Sequence, residues 1–246
     1  MAMLQIQPNS DFIWMQHALA LAKAARGHVW PNPPVGCVLI KKGAILAKAA
    51  THPGGRPHAE RAAIEQVAAK SGINTDGATL YVTLEPCCHW GKTPPCTDAI
   101  IASGVRRVVC AVQDPDPRVN GGGFERHRNA GIEVSVGLCA SQATRVMSGF
   151  FHRVRTGRPE LVVLKNVSKT IPDGVDALLS TIDGAFSLRS RMSEGVKTTW
   201  IARDTASGLL EELADMGLTT VAVCAHDLVA KEFEAIANIW SDRGVA

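Results

Sequence analysis

Four side chains in the first half of the sequence combine metal-binding and proton-transferring chemistry. His58 and Glu60 stand in the run His58-Ala59-Glu60, and two cysteines, Cys87 and Cys96, follow further along the chain. One imidazole and two thiolates are ligands that zinc prefers, and a catalytic zinc keeps its fourth position open for water. The spacing therefore predicts a zinc site with Glu60 beside it as a general acid and base that does not bind the metal.

The order of these residues is close to a known pattern but departs from it at one point. Zinc deaminases carry His-x-Glu followed by Pro-Cys-x-x-Cys, with the glutamate moving protons. Here eight residues, not two, separate Cys87 from Cys96. A loop of that length can still return the second thiolate to the metal, and it adds polar groups beside the site.

Other interpretations of the same residues remain open. A single histidine before a helix is often a surface or capping residue, and neighbouring cysteines are often only small buried hydrophobic side chains. A closed structural zinc site would need a fourth ligand, which Cys88 or His89 could supply. The presence of Glu60 favours catalysis, because a structural zinc does not require that carboxylate.

The elements that must position these residues alternate between helix and strand. Apolar spacing and stop signals predict helices over 11–26, 59–70, 97–103, 124–129 and 141–155, and strands over 36–40, 44–49, 78–84, 107–112 and 132–136. The first two strands are joined at Lys41-Lys42-Gly43, as in a hairpin. This order predicts an α/β domain over residues 1–155, with a mixed five-stranded sheet between layers of helices.

The last third of the chain has a weaker pattern. A break at Thr156-Gly157-Arg158-Pro159 precedes a predicted strand over 161–165, and residues 171–196 show little periodicity. Helix, strand and helix are predicted over 209–216, 219–224 and 228–239. A second region over residues 156–246 is therefore expected, although about 90 residues is small for an independent core.

Composition narrows the classes of protein. The 246 residues are 46% hydrophobic and 20% charged with a net charge of +3, which excludes a disordered chain, a collagen-like repeat and a coiled coil. No basic run indicates a nucleic-acid arm, and one tyrosine gives little support to an aromatic strand channel. No apolar run is long enough for a membrane helix and no secretory signal begins the chain, so the seven cysteines are expected to be reduced in the cytoplasm.

Several longer runs carry a resemblance to a known family. They are Pro31-Asn32-Pro33-Pro34-Val35-Gly36-Cys37-Val38, the run 54–60 that ends in His-Ala-Glu, the run 83–96 that holds both cysteines, and Asp114-Pro115-Asp116-Pro117-Arg118-Val119-Asn120-Gly121-Gly122-Gly123. Over roughly Asp11 to Arg155 the chain resembles the deaminase domain of the riboflavin-biosynthesis deaminase/reductase family. The long loop between the cysteines is a feature of that family.

The resemblance implies a cytidine-deaminase-like fold and a hydrolytic, zinc-dependent deamination of 2,5-diamino-6-(5-phosphoribosylamino)pyrimidin-4-one. It implies zinc ligands and a proton-transferring residue at His58, Cys87, Cys96 and Glu60. It also implies a pocket for a phosphorylated pyrimidine lined by Asn32, His89 and Lys92. His52 could reach the same opening or remain a solvated loop histidine. Lys92 suits a phosphate, whereas Gly121-Gly122-Gly123 is more typical of a turn than of a phosphate loop.

The second region resembles only parts of the family's reductase domain. Gly157-Arg158-Pro159, Leu164-Lys165 and Ser168 are similar to its opening, and 181–184 is weakly similar to a later motif. Where a pair of glycines would approach a phosphate, the chain has Cys224-Ala225-His226. We therefore expect a truncated reductase-like remnant without NADPH, serving a structural or dimerising role, and a separate reductase for the next step. Binding of a nucleotide or substrate by this region is the alternative.

Three other functions compete with this expectation. The same scaffold could deaminate another small aminopyrimidine or nucleotide, or a nucleic acid, or it could be a non-catalytic zinc module. A nucleic-acid partner and a membrane partner are not expected, and a homodimer is expected from the resemblance and from base rates.

Overall fold

The computed structural model describes residues 8–164, 168–182, 185–201 and 206–224. Its contacts divide the chain into two compact units. The first unit comprises the chain up to Ala25 together with Pro33–Met147. The second comprises Arg26–Asn32 and the chain from Ser148 onward. This division differs from the predicted boundary between residues 155 and 156. No helix within the described ranges is both long enough and apolar enough to span a bilayer.

A mixed five-stranded sheet forms the centre of the first unit, as the sequence predicts. Its strands are β1 (Gly36–Lys41), β2 (Ala44–Ala50), β3 (Thr79–Val82), β4 (Arg107–Cys110) and β5 (Glu133–Val136), in the spatial order β2-β1-β3-β4-β5. The predicted hairpin is confirmed, because β1 pairs antiparallel with β2. β1 also pairs antiparallel with β3, while β3, β4 and β5 are parallel.

The described residues of the first unit form five α-helices: α1 (Pro8–Ala25), α2 (Ala59–Ala68), α3 (Cys96–Ala102), α4 (Gly122–Asn129) and α5 (Ala140–Val146). α1 packs against β1 and against α5, and α2 packs against β2 and α3. The approach of α1 requires Gly36, because a Cβ atom there would lie 1.9 Å from the carbonyl oxygen of Ala18.

The prediction of one helix over 141–155 is wrong. α5 ends at Val146, the backbone at Met147 leaves the helical region with φ −107° and ψ 20°, and α6 (Ser148–Thr156) follows. The physical reason is a change of core. Met147 is buried in the first unit, whereas a Cβ atom on Gly149 would lie 2.0 Å from Oγ1 of Thr220 in the second.

The second unit contains another five-stranded sheet. Its strands are β6 (Glu160–Leu164), β7 (Ala177–Ile182), β8 (Ala185–Met192), β9 (Gly195–Ile201) and β10 (Thr220–Cys224), in the order β6-β10-β7-β8-β9. β6, β10 and β7 are parallel, and β7, β8 and β9 form an antiparallel meander. The predicted β6 and β10 are confirmed, as is the predicted helix, α7 (Ala206–Asp215).

A second core exists despite the short length of this region. α7 contributes Leu209, Leu210 and Leu213, which pack with apolar residues of the sheet such as Leu179 and Val221. The short segment 26–32 also belongs to this unit, where the indole Nε1 of Trp30 donates to the carbonyl of Arg191 at 2.9 Å.

Some predictions of the sequence analysis fall on residues outside the described ranges. They are the helix over 228–239 and the motif residues Lys165, Asp183, Gly184, Ala225 and His226.

Candidate metal centre and active site

Three side chains from separate parts of the first unit converge on one point. His58 immediately precedes α2, Cys87 follows β3, and Cys96 is the first residue of α3. Nδ1 of His58 lies 3.4 Å from Sγ of Cys96 and 3.7 Å from Sγ of Cys87. The potential ligand atoms of all three residues lie within 4.8 Å of one another.

The donor set and its spacing fit a zinc ion. Zinc–sulfur and zinc–nitrogen bonds of about 2.3 and 2.0 Å in a tetrahedron separate a nitrogen ligand from a sulfur ligand by about 3.5 Å. The observed separations of 3.4 and 3.7 Å lie on either side of that value. The nitrogen of His58 therefore already lies at the separations of a zinc site from both sulfurs.

Hydrogen bonds within the cluster favour a thiolate at Cys87. The Cys96 thiol and the His58 imidazole hydrogen-bond to its sulfur and lower the pKa of Cys87 to about 4, against the opposing effect of burial. The backbone N–H of Cys96 also donates to this sulfur at 3.3 Å. The same contact and burial raise the pKa of Cys96 well above its usual range. A thiolate is the form in which cysteine binds metal.

Glu60 lies in the first turn of α2 and is only 4% exposed. Burial raises the pKa of its carboxyl group to about 7, and the charge of His58 partly opposes that shift. The neighbouring Cys96 thiol also acts to lower the pKa of this carboxyl group. Glu60 is thus a buried carboxyl group beside the three ligands, and its pKa lies in the range in which a group both accepts and donates protons near neutral pH.

Neither candidate for a fourth protein ligand joins the cluster. Sγ of Cys88 is directed to the carbonyl of Arg118 at 3.6 Å, and Nδ1 of His89 lies 3.3 Å from the carbonyl of Trp90. Among the described residues, the group that could hold a metal consists of the three convergent side chains. Three protein ligands are the arrangement of a catalytic zinc, whereas structural sites have four.

The residues predicted to bind substrate lie in three places. His89 and Lys92 belong to the loop between Cys87 and Cys96, His89 half-buried and Lys92 exposed. His52 is exposed in the loop that leads into His58, and its backbone N–H donates to the carbonyl of Pro57 at 3.1 Å. Asn32 lies in the segment 26–32 of the second unit. Their contacts with substrate remain predictions.

Glu85 supports the site structurally, and no pattern in the sequence predicts this role. It is buried, and its two carboxylate oxygens accept four backbone hydrogen bonds. Oε2 accepts from Asp114 at 3.2 Å and Gly121 at 3.0 Å, and Oε1 accepts from Gly123 at 2.9 Å and Phe124 at 3.3 Å. Glu85 therefore fixes the start of α4 next to the segment that carries Cys87.

These contacts also decide between the two interpretations of the glycine run. The N–H groups of Gly121 and Gly123 donate to Glu85, and that of Gly122 donates to the carbonyl of Val119 at 2.7 Å. All three amides have partners within the protein. The interpretation as a turn is confirmed, and a phosphate contact through these amides is not supported.

Comparisons with known proteins agree with this geometry. The family described as "Cytidine and deoxycytidylate deaminase zinc-binding region" matches residues 8–112, a range that includes all three convergent ligands and Glu60. A riboflavin biosynthesis protein RibD of Aquifex aeolicus is 42% identical over 211 residues, which are 86% of this chain and 55% of that protein. The chain thus spans about half the length of that relative.

A shorter relative and a solved structure add to this match. A diaminohydroxyphosphoribosylamino-pyrimidine deaminase of Buchnera aphidicola subsp. Schizaphis graminum is 41% identical over 149 residues, which are 61% of this chain and 99% of that protein. The crystal structure of a diaminohydroxyphosphoribosylaminopyrimidine deaminase/5-amino-6-(5-phosphoribosylamino)uracil reductase from Thermotoga maritima is also similar. The match has a TM-score of 0.75 at 30% identity and covers 93% of this chain and 84% of that one. The chain belongs to the riboflavin-biosynthesis deaminase family.

Proposed function

We propose that this protein catalyses the zinc-dependent hydrolytic deamination of 2,5-diamino-6-(5-phosphoribosylamino)pyrimidin-4-one. The observation that carries the proposal is the convergence of His58, Cys87 and Cys96 beside the buried carboxyl group of Glu60. One zinc per chain would be held by the three ligands. When bound, zinc would act as a Lewis acid and lower the pKa of its bound water to about 7.

Glu60 has the central role among the protein's own groups. Its carboxylate accepts one proton from the attacking water and passes it to the ring nitrogen, then accepts the second from the new hydroxyl group on the ring carbon and passes it to the departing amine. The oxygen of water remains on the ring carbon, the carbon–nitrogen bond breaks, and ammonia leaves. Because Glu60 is buried beside the three ligands and is not one of them, its carboxylate is available to transfer protons.

The loops around the cluster provide the proposed substrate contacts. Lys92 offers a positive charge to the phosphate, and His89 lies in the same loop. The amide of Asn32 offers a donor and an acceptor to the pyrimidine ring, and His52 is proposed to reach the same opening.

We further propose a homodimer in the cytoplasm, where thiol ligands stay reduced. The reductase-like second unit is proposed not to bind NADPH and to have a structural or dimerising role, because Cys224 stands where the family's phosphate loop has glycine. A separate reductase would then consume the product.

The test is ammonia release by zinc-loaded protein from the phosphorylated pyrimidine, with the dephosphorylated compound assayed beside it. Turnover confined to the phosphorylated compound supports the proposal and a pocket that reads phosphate. Absence of turnover with both compounds, in folded and zinc-replete protein, would contradict it and favour a deaminase for another small base or a non-catalytic zinc module.

The role of Glu60 is tested by Glu60→Gln. We expect zinc content and folding to be retained while turnover falls by about 10²- to 10⁴-fold, the usual contribution of general acid–base catalysis. Glu65→Gln is the matched control, because Glu65 lies on the same helix but is exposed and paired with Arg61 at 3.6 Å. Near-normal activity of Glu60→Gln would show that another group moves the protons.

A further inference from the structure

An arginine beside the metal cluster has no role in the function proposed so far. Arg56 lies two residues before His58, in the loop between β2 and α2, and is half-buried. Its Nη1 donates to Oγ1 of Thr93. A Cβ atom added to Gly91 would lie 3.5 Å from its Nη2. The guanidinium therefore hydrogen-bonds to Thr93 and lies near Gly91, the residues on either side of Lys92.

Arg56 differs from neighbouring arginines in its lack of an ion pair with a carboxylate of the described residues. Arg61 is paired with Glu65, Arg118 with Asp116 and Arg126 with Asp98. Across the described ranges, by contrast, no carboxylate forms an ion pair with Arg56 or with Lys92. Two cationic side chains thus arise from adjoining positions at the edge of the site without an anion of the protein between them.

We propose that Arg56 is a specificity-determining residue that binds the phosphate group of the substrate together with Lys92. The inference rests on the proposed function for the identity of the substrate. A phosphate monoester carries close to two negative charges at neutral pH and neutralises both cations. The planar guanidinium presents several N–H donors to phosphate oxygens, and the Thr93 hydroxyl holds it in one orientation.

A purely structural role makes a different prediction. If Arg56 served only to connect its own loop to the loop of Thr93, its removal would displace both loops for every substrate. If it binds phosphate, the loss is confined to phosphorylated compounds. The comparison of two substrates therefore separates the roles.

The experiment measures steady-state kinetics of the zinc-loaded wild type, Arg56→Ala, Arg56→Lys and Arg61→Ala with the phosphorylated pyrimidine and its dephosphorylated form. We expect Arg56→Ala to raise KM for the phosphorylated compound by about 10- to 100-fold, the usual effect of losing a hydrogen bond to a charged group. Arg56→Lys should recover part of that loss. Arg61→Ala, which removes the same charge from a paired arginine, should leave KM unchanged.

Binding of ribose 5-phosphate, followed by phosphorus NMR, gives a readout that does not depend on turnover. We expect Arg56→Ala to weaken this binding at least about 10-fold relative to wild type and to Arg61→Ala. Equal losses with both pyrimidines, or unchanged KM and unchanged ribose phosphate binding, would overturn the proposal. If wild type releases no ammonia from either pyrimidine, the proposed function fails, and the NMR titration still decides whether Arg56 binds phosphate.

Discussion

At the scale of single residues, the site depends on the different environments of adjacent cysteines. Cys87 has its sulfur within 3.7 Å of His58, whereas the sulfur of its neighbour Cys88 contacts the carbonyl of Arg118. Cys87 and Cys88 therefore carry the same thiol group, but their sulfur atoms contact different parts of the protein. Residue type alone marks both as metal ligands, and only their surroundings separate them.

Substitution of each cysteine by serine tests this difference. Cys87→Ser should lose most of its bound zinc, because a serine hydroxyl is a poor replacement for a thiolate ligand. Cys88→Ser, the matched control, should keep a zinc content equal to wild type. Metal content after dialysis against a weak chelator measures both. Loss of zinc from Cys88→Ser would indicate a fourth protein ligand and a closed structural site.

At the scale of elements, a buried carboxylate organises the chain around the site. Glu85 accepts hydrogen bonds from backbone N–H groups at the start of α4, in the glycine-rich turn. Gly123 is required there, since a Cβ atom would lie 2.4 Å from the carbonyl oxygen of Pro86. The turn, the helix and the segment of Cys87 thus form one hydrogen-bonded assembly.

Glu85→Gln should destabilise this assembly. Its amide NH2 group would replace one of the two accepting oxygens and leave two buried backbone donors without an acceptor. We expect the free energy of unfolding to fall by roughly 2–6 kcal/mol, at about 1–3 kcal/mol for each of the two unsatisfied donors. Glu125→Gln, at an exposed position in α4, is the control. Equal stability of the two variants in urea unfolding would refute the role of Glu85.

At the scale of the whole molecule, each unit has its own sheet and its own buried residues. The stability of the folded protein at low pH depends on the titratable groups that folding buries. His127 is fully buried on α4, and among the described residues neither of its ring nitrogens has a hydrogen-bond partner. Burial, assisted by the charge of Arg126, lowers the pKa of His127 from 6.5 to about 4. The folded protein therefore holds this ring neutral where the unfolded chain takes up a proton.

The sign of the resulting pH dependence follows from linkage. Between pH 6.5 and pH 4 the unfolded chain binds more protons at this position, so stability falls as the pH is lowered. From about pH 7.5 to pH 5, His127 should account for a loss of about 2 kcal/mol. In His127→Phe, the free energy of unfolding measured in urea should fall by about 2 kcal/mol less between pH 7.5 and pH 5 than in wild type. The same acid-induced loss in wild type and variant would contradict the assignment.

The sequence by itself determined the features that depend on local patterns. The hairpin of β1 and β2 follows from two short apolar runs around Lys42 and Gly43, which adopt positive φ angles of 50° and 77°. The parallel arrangement of β3, β4 and β5 was predictable because a helical segment separates each strand-like apolar run from the next. The four residues of the site were predictable because imidazole, thiolate and carboxylate in this order support few chemistries other than zinc catalysis.

Only the tertiary structure decided the features that depend on contacts between distant residues. β9 exposes most of its side chains, and β8 mixes buried, half-buried and exposed ones, so neither strand shows a clear alternating hydrophobic pattern. The helix break at Met147 reflects a change from one core to another. Glu85 and Arg56 are ordinary charged residues in the sequence. Their roles come from donors and side chains brought to them by folding, and no local spacing encodes such contacts.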